Sequence, residues 1–294
     1  MSSKKLFGLI AAASLIMPAT GMAQSLNYDF NSINQDLAKE GLMIQSIEWI
    51  TSEDSEQVGR TVFFTNRGNK QLSAHYVPGD PRRGGFSDIT YIVDMVDGAT
   101  AGGLTAVDTQ GAIDNAMATW DEVTCSAIPV TNLGGLNVDL GYIQASLGYG
   151  GVFGWAADLT HAGWLPAGFF DAIAPNGSNF ILGVTFTLIW TDSGVPTDID
   201  NNGRDDVAFR EIYYNDNFQW AVDGGHVDIE TVALHEAGHG LSQGHFGSAS
   251  RTKNGKVHFS PRAVMNATYS GIQRDIRKTD NGGHCSNWAS WPNN

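Results

Sequence analysis

Residues 235–245 read His235-Glu236-Ala237-Gly238-His239-Gly240-Leu241-Ser242-Gln243-Gly244-His245, and no other stretch constrains the chain as strongly. Two histidines four apart on a helix turn through about 400°, so their rings leave one face close enough to share a tetrahedral zinc at Zn–N distances of about 2.0–2.1 Å. On a continuous helix His245 would sit roughly 240° off that face and about 9 Å further along. It reaches the metal only if the helix ends first. Gly240 and Gly244 flank the interval, and glycine tolerates the left-handed backbone that terminates helices. Three protein ligands leave a fourth position for water, whose pKa zinc lowers from about 15.7 to about 7. Glu236, beside the first ligand, is placed to take that water's proton.

The N-terminus reads as a secretory signal over residues 1–23: Lys4 and Lys5, an apolar run from Leu6 to Met17, and a Gly21-Met22-Ala23 cleavage site. The apolar run is short against the roughly 20 residues a membrane span needs, and no later stretch is long and apolar enough. A secreted (extracellular or periplasmic) product is expected. Loss of Lys4 and Lys5 takes the formal charge from −14 to −16, which argues against nucleic acid or an anionic membrane as partner. In an oxidising compartment the two cysteines, Cys125 and Cys285, are most simply one disulfide.

Residues 24–85 read as a polar, irregular N-terminal extension or pro-segment with one strand at residues 61–65, ending in the Pro/Gly/Arg-rich stretch 78–85. From residue 86 to 294 a second unit is expected. Residues 88–94 read as a strand, and Ile113, Ala116, Met117, Trp120 and Val123 recur at helical spacing behind Thr105 or Asp108 as N-cap. Residues 126–155 read mostly as loop, with further strands at 156–164, 180–190 and 207–214. This order predicts an α+β domain, helices on one face of a twisted mixed sheet. Between the last two strands, Asp198, Asp200, Asn202 and Asp206 with Gly203 match the first half of a calcium loop, without the glutamate that ends a helix–loop–helix site.

The pattern at residues 235–245, followed by Ala263-Val264-Met265-Asn266-Ala267-Thr268-Tyr269, resembles the metzincin zinc peptidases and, within them, the matrixin branch, whose motif is HExxHxxGxxH with a methionine turn. Residues 89–92 look like the first matrixin strand, residues 112–123 like its long backing helix, and 180–220 like the edge strand and the strand before the active helix. The resemblance implies a metzincin-like catalytic domain with an active-site helix, a Met-turn and a C-terminal helix. It also implies a secreted, monomeric endopeptidase acting on extracellular proteins, matrix proteins among them. Zinc is held by His235, His239 and His245, Glu236 is general base, Met265 lies beneath the metal and Tyr269 lines the pocket beyond it. The peptide substrate adds as an extra strand along residues 180–190. Three departures stand out: Ser242 replaces the motif's glycine, no cysteine stands near residues 81–84 to cap the zinc, and only Asp158 and His161 remain for a second zinc. The alternative is a non-catalytic secreted metal-binding or adhesion protein that keeps this architecture.

Overall fold

The segments rich in β-branched and aromatic residues at 42–51, 89–94, 181–192 and 205–215 form most of one sheet. The computed structural model describes residues 26–66, 72–253 and 255–293; the signal-type segment 1–23 lies outside them. Nine strands pair in this sheet: β1 (Leu42–Thr51), β2 (Thr61–Phe63), β3 (Ala74–His75), β4 (Ile89–Asp94), β5 (Val130–Leu136), β6 (Leu159–Leu165), β7 (Ile181–Asp192), β8 (Val195–Pro196) and β9 (Asp205–Asn215). The path runs β2-β1-β7-β9-β6-β4-β5, with β3 beside β9 and β8 beside β7. Strands β5, β4, β6 and β9 are mutually parallel; β7 runs antiparallel to β9, and β1 antiparallel to β7. The α-helices are α1 (Phe30–Leu37), α2 (Ala106–Asp121), α3 (Tyr142–Leu147), α4 (Ala167–Ile173), α5 (Ile229–Gly240) and α6 (Lys278–Trp288). The class is α+β with a mixed sheet, as expected. No described helix is long and apolar enough to cross a membrane.

Helices lie on both faces rather than one. Successive strand residues point to opposite faces, and in β7 a register irregularity between Ile181 and Gly183 resets the alternation: Leu182 and Ile189 join a cluster with Trp120 of α2, Leu234 of α5 and Trp288 of α6, whereas Val184, Phe186 and Leu188 join Phe30 and Leu37 of α1, Ile143 of α3 and Phe169 of α4. Helix α2 begins as read, Thr105 capping Asp108 N–H and Asp108 answering at the Thr105 N–H, a capping box. Residues 126–155, expected as loop, contain β5 and α3. Glycines at 134, 135, 141, 148, 150 and 151 dilute the periodicity there, and pairing with β4 supplies the strand that local propensity does not.

Two further expectations need correction. Among the described residues of the 24–85 stretch the chain is not irregular, because β1, β2 and β3 all join the main sheet. Residues 180–190 are not an edge: β7 has β9 on one side and β1 on the other, paired from Leu42↔Trp190 to Thr51↔Ile181 with register shifts at Ile44/Ser46 and Ile50/Thr51. The backbone groups that were to receive a peptide are already paired.

Cys125, just beyond α2, is bonded to Cys285 in α6, with Cα atoms 5.7 Å apart across 160 residues of chain. In the chain-entropy account so long a loop stabilises by about 5 kcal/mol. Trp288 and Trp291 are buried, closing the core at the C-terminal end.

Candidate metal centre

Helix α5 is buried on every side, so its capping groups must come from the protein. Asp228 accepts from the Thr231 N–H at 2.9 Å and is clamped by Arg274 at 2.5 Å. Trp120 of α2 donates its indole N–H to Leu234 O at 2.8 Å. Gly238 is required by close approach, since a Cβ there would lie 2.3 Å from Met265 Sδ and 2.9 Å from Trp120. Met265 thus lies hard against the helix turn between His235 and His239. Gly240 serves packing rather than the turn: it is the last helical residue and a Cβ would meet Leu159 at 2.4 Å.

The helix ends at Ser242, whose φ is +63°. Its N–H bonds to His239 O at 2.9 Å and the Gln243 N–H to Gly238 O at 2.8 Å, the paired bonds of a Schellman ending whose left-handed position is normally glycine. A left-handed serine costs on the order of 1–2 kcal/mol. Its hydroxyl offsets part of this by bonding His75 Nδ1 at 3.0 Å, and Asn287 donates to its carbonyl at 2.7 Å. His75, a lone histidine in the sequence, is therefore a buried prop for the turn.

That turn brings the three rings together. His239 Nε2 is 3.1 Å from His235 Nε2 and 3.3 Å from His245 Nε2. A tetrahedron with Zn–N bonds of about 2.0–2.1 Å has edges of about 3.3–3.4 Å, so the spacing is that of a metal-binding trio. The opposite ring nitrogens fix the tautomers: His235 Nδ1–H donates to Val264 O at 2.7 Å and His239 Nδ1–H to Gln243 O at 2.8 Å. Each Nε2 then carries a lone pair, and two lone pairs 3.1 Å apart call for a cation between them. Burial pushes all three imidazoles down, His239 to about 4 and His235 and His245 well below the ordinary histidine value, the neighbouring rings adding to the effect at the last two. Neutral rings are the ligating form.

Glu236 is fully buried. Its Oε2 accepts from Thr185 Oγ1 of β7 at 2.6 Å, while Oε1 finds no hydrogen-bond partner among the described residues. Burial drives its pKa well above the usual carboxylate range; the Thr185 bond opposes this, the Glu48 carboxylate adds to it, and the nearby Ile50 N–H opposes it. A proton acceptor with one free oxygen therefore stands on the same turn as two of the ligands. No protein-family model and no curated protein matches this chain.

Several residues that sequence spacing does not reveal hold the centre. Asp280 of α6, buried, accepts from the Val264 and Met265 N–H groups at 3.0 and 3.1 Å, and Val264 O is the acceptor that orients His235. From the β1–β2 hairpin, Thr61 Oγ1 sits 3.5 Å from His245 Nδ1 and donates to Glu48 Oε1 at 3.0 Å; Glu48 is also 3.5 Å from His239 Nδ1. Glu48, Thr61 and Arg210 line a cavity of about 570 Å³ beside His239 and His245. Tyr269 is buried and its hydroxyl accepts from the Asp228 N–H at 3.2 Å.

Asp198, Asp200 and Asp206 gather with oxygens within 4.8 Å of one another. Asn202 is not aimed with them, donating instead to Asp200 and accepting from the Arg204 N–H. Asp206 already carries a salt bridge to Arg82 at 2.8 Å. Asp158 and His161 do not form a second metal pair: Asp158 is bonded to Arg83 and Thr90, and His161 Nδ1 to Tyr214 OH at 2.8 Å.

The non-ligand histidines set an acid limit. Burial lowers His75 and His161 to about 3 and His284 to about 4, so the fold holds them neutral while the unfolded chain takes up protons below about 6.5. Depressed bases lose their contribution as pH falls. Between about pH 5.5 and 4.5 the share of these three should drop by about 4 kcal/mol per pH unit, one proton from each, and in the metal-free protein the depressed ligand imidazoles add to the fall. Urea denaturation midpoints across that range check this; a flat profile contradicts neutral burial.

Proposed function

We propose that the protein is a secreted zinc-dependent endopeptidase of the metzincin kind, close to the matrixin branch. The observation that carries the reading is the trio of Nε2 atoms at the spacing of a tetrahedral site with Glu236 beside it, one carboxylate oxygen free. The mixed sheet, the backing helix α2, Met265 against α5 and the C-terminal helix α6 support it, and the disulfide supports an oxidising compartment. His235, His239 and His245 would hold Zn²⁺, which supplies Lewis-acid polarisation of a peptide carbonyl and of the attacking water when bound. Glu236 takes a proton from water at its free Oε1 and returns it to the departing amine, while Thr185 keeps the carboxylate oriented.

Casein, an unstructured protein, is the test substrate. The zinc-loaded chain should cleave it, and a chelator should abolish cleavage until zinc is restored. A chain that binds zinc yet cleaves no member of a broad peptide library belongs instead with the alternative, a secreted metal-binding or adhesion protein.

The loop at residues 198–206 is assigned to Ca²⁺ in the same reading, through Asp198, Asp200 and, in competition with Arg82, Asp206. Calcium at about 100 times its dissociation constant adds about 2.7 kcal/mol, a rise in Tm of roughly 5–10 °C for a domain this size. Equal melts with calcium and with a calcium-selective chelator, zinc retained, would remove the assignment.

A further inference from the structure

Strand β1 lies where an incoming peptide was expected, and it is held as a ligand on two sides. On one side it pairs antiparallel with β7, Trp49 opposite Val184 and Ile50 opposite Gly183, and the Ser52 N–H bonds Phe180 O at 2.9 Å. On the other, Thr51 is gripped by the segment after Met265: its N–H bonds Ala267 O at 3.3 Å and its carbonyl accepts from the Tyr269 N–H at 2.7 Å. The register irregularity between Ile50 and Thr51 lets successive residues turn to opposite walls. Ile50 is 3% exposed and belongs to the apolar cluster of Val232, Val264 and Tyr269 around the active helix. Ile50 stands opposite Gly183, and a Cβ on Gly183 would lie 2.9 Å from the Glu236 side chain, so β1 and β7 pass together beside that carboxyl.

We propose that β1 occupies this chain's own substrate groove in the manner of a substrate, presenting the Trp49–Ile50 peptide bond to Glu236. The inference rests on the peptidase reading and names the ligand class of the same site: an extended peptide with an aliphatic residue where Ile50 sits. If such a bond opens, the oxygen of water joins the carbonyl carbon of the Trp49 position and the carbon–nitrogen bond breaks. The water's proton passes through Glu236 to the nitrogen of the Ile50 position. The hairpin explains how the site is covered without a cysteine: β2 returns along β1, Arg60 O accepts from the Trp49 N–H at 3.1 Å, and Thr61 meets His245.

The test uses the full chain carrying Glu236→Gln, metal-free, and a fluorescent peptide of residues 45–54 as probe. A site open only a tenth of the time binds about tenfold more weakly than an open one. Adding Ile50→Asp, which places a charge in the apolar pocket, should free the groove and tighten probe binding at least about tenfold over the Glu236→Gln parent. In that parent, excess unlabelled peptide should displace β1 and speed hydrogen exchange at the Thr51 and Ser52 amides, leaving α5 amides unchanged. The exchange measurement decides if Ile50→Asp does not fold. Equal probe affinity in both proteins, or exchange unchanged by peptide, overturns the proposal. A chain that accepts the peptide but hydrolyses no protein keeps the groove assignment and loses the peptidase reading; one that cleaves casein but rejects the peptide does the reverse.

Discussion

Glu236→Ala should reduce kcat/KM on a casein-derived peptide by about 10³-fold or more while zinc remains bound in a one-to-one ratio. The magnitude follows from removing a positioned proton-transfer group, which contributes about 10²–10⁴. Metal retention follows from where the ligands find their support. His235 is oriented by Val264 O and His239 by Gln243 O, with Thr61 beside His245, and none of these contacts passes through Glu236. Metal analysis of the purified variant beside its kinetics separates the two effects. Loss of zinc together with activity would place Glu236 in the ligand framework instead. Stability should move the other way in the metal-free protein. A buried acid whose pKa is raised contributes stability below its unfolded value, and loses it as pH rises through the folded value. Glu236→Gln should therefore melt higher than the unmutated apo chain at neutral pH. Removing a burden that only function needs is a familiar trade.

Asp280→Ala carries the second large effect, and it acts from outside the ligand set. The carboxylate accepts two buried backbone N–H groups, at Val264 and Met265. Without it both are unsatisfied, at about 1–3 kcal/mol each, for a total of roughly 2–6 kcal/mol. The same change loosens the segment whose carbonyl fixes the His235 ring, and losing such outer support typically weakens metal binding about 10–100-fold. Competition with a chromophoric chelator measures the affinity, and urea unfolding of the zinc-free protein measures the stability. An unchanged affinity with lowered stability would reduce Asp280 to a purely structural group.

The two kinds of residue differ in how visible they are before folding. His235, His239 and Glu236 are legible because one helical turn places them, and their separation alone states their geometry. His245 is legible conditionally, through the requirement that the helix stop. Ser242 does adopt the left-handed backbone there, although Gly240 turns out to answer to Leu159. Asp280 carries no such signal: it stands fifteen residues beyond Met265 and speaks to backbone groups, which any sequence possesses. Strand β1 was obscured for another reason. Gln45, Ser46 and Glu48 interrupt its apolar pattern, yet all three are buried against the hairpin and the metal centre, where polar contacts replace apolar alternation. Its neighbours Ile44, Ile47 and Trp49 join the cluster on the α1 face and Ile50 the cluster around α5. The edge predicted on β7 failed with it, because an edge is a property of what the rest of the chain leaves uncovered.

Helix α6 changes the order in which the centre can be built. The three ligand rings lie within eleven residues, but Asp280 secures the turn behind His235, Asn287 secures the Ser242 carbonyl, and Trp288 donates to Leu241 O at 2.8 Å. All three contacts come from residues 278–288, which Cys285 ties to Cys125. During synthesis the histidines therefore emerge well before the residues that hold them in place. The Cys125–Cys285 bond therefore fastens the helix that carries all three supports, and the centre takes its finished shape only once α6 is seated.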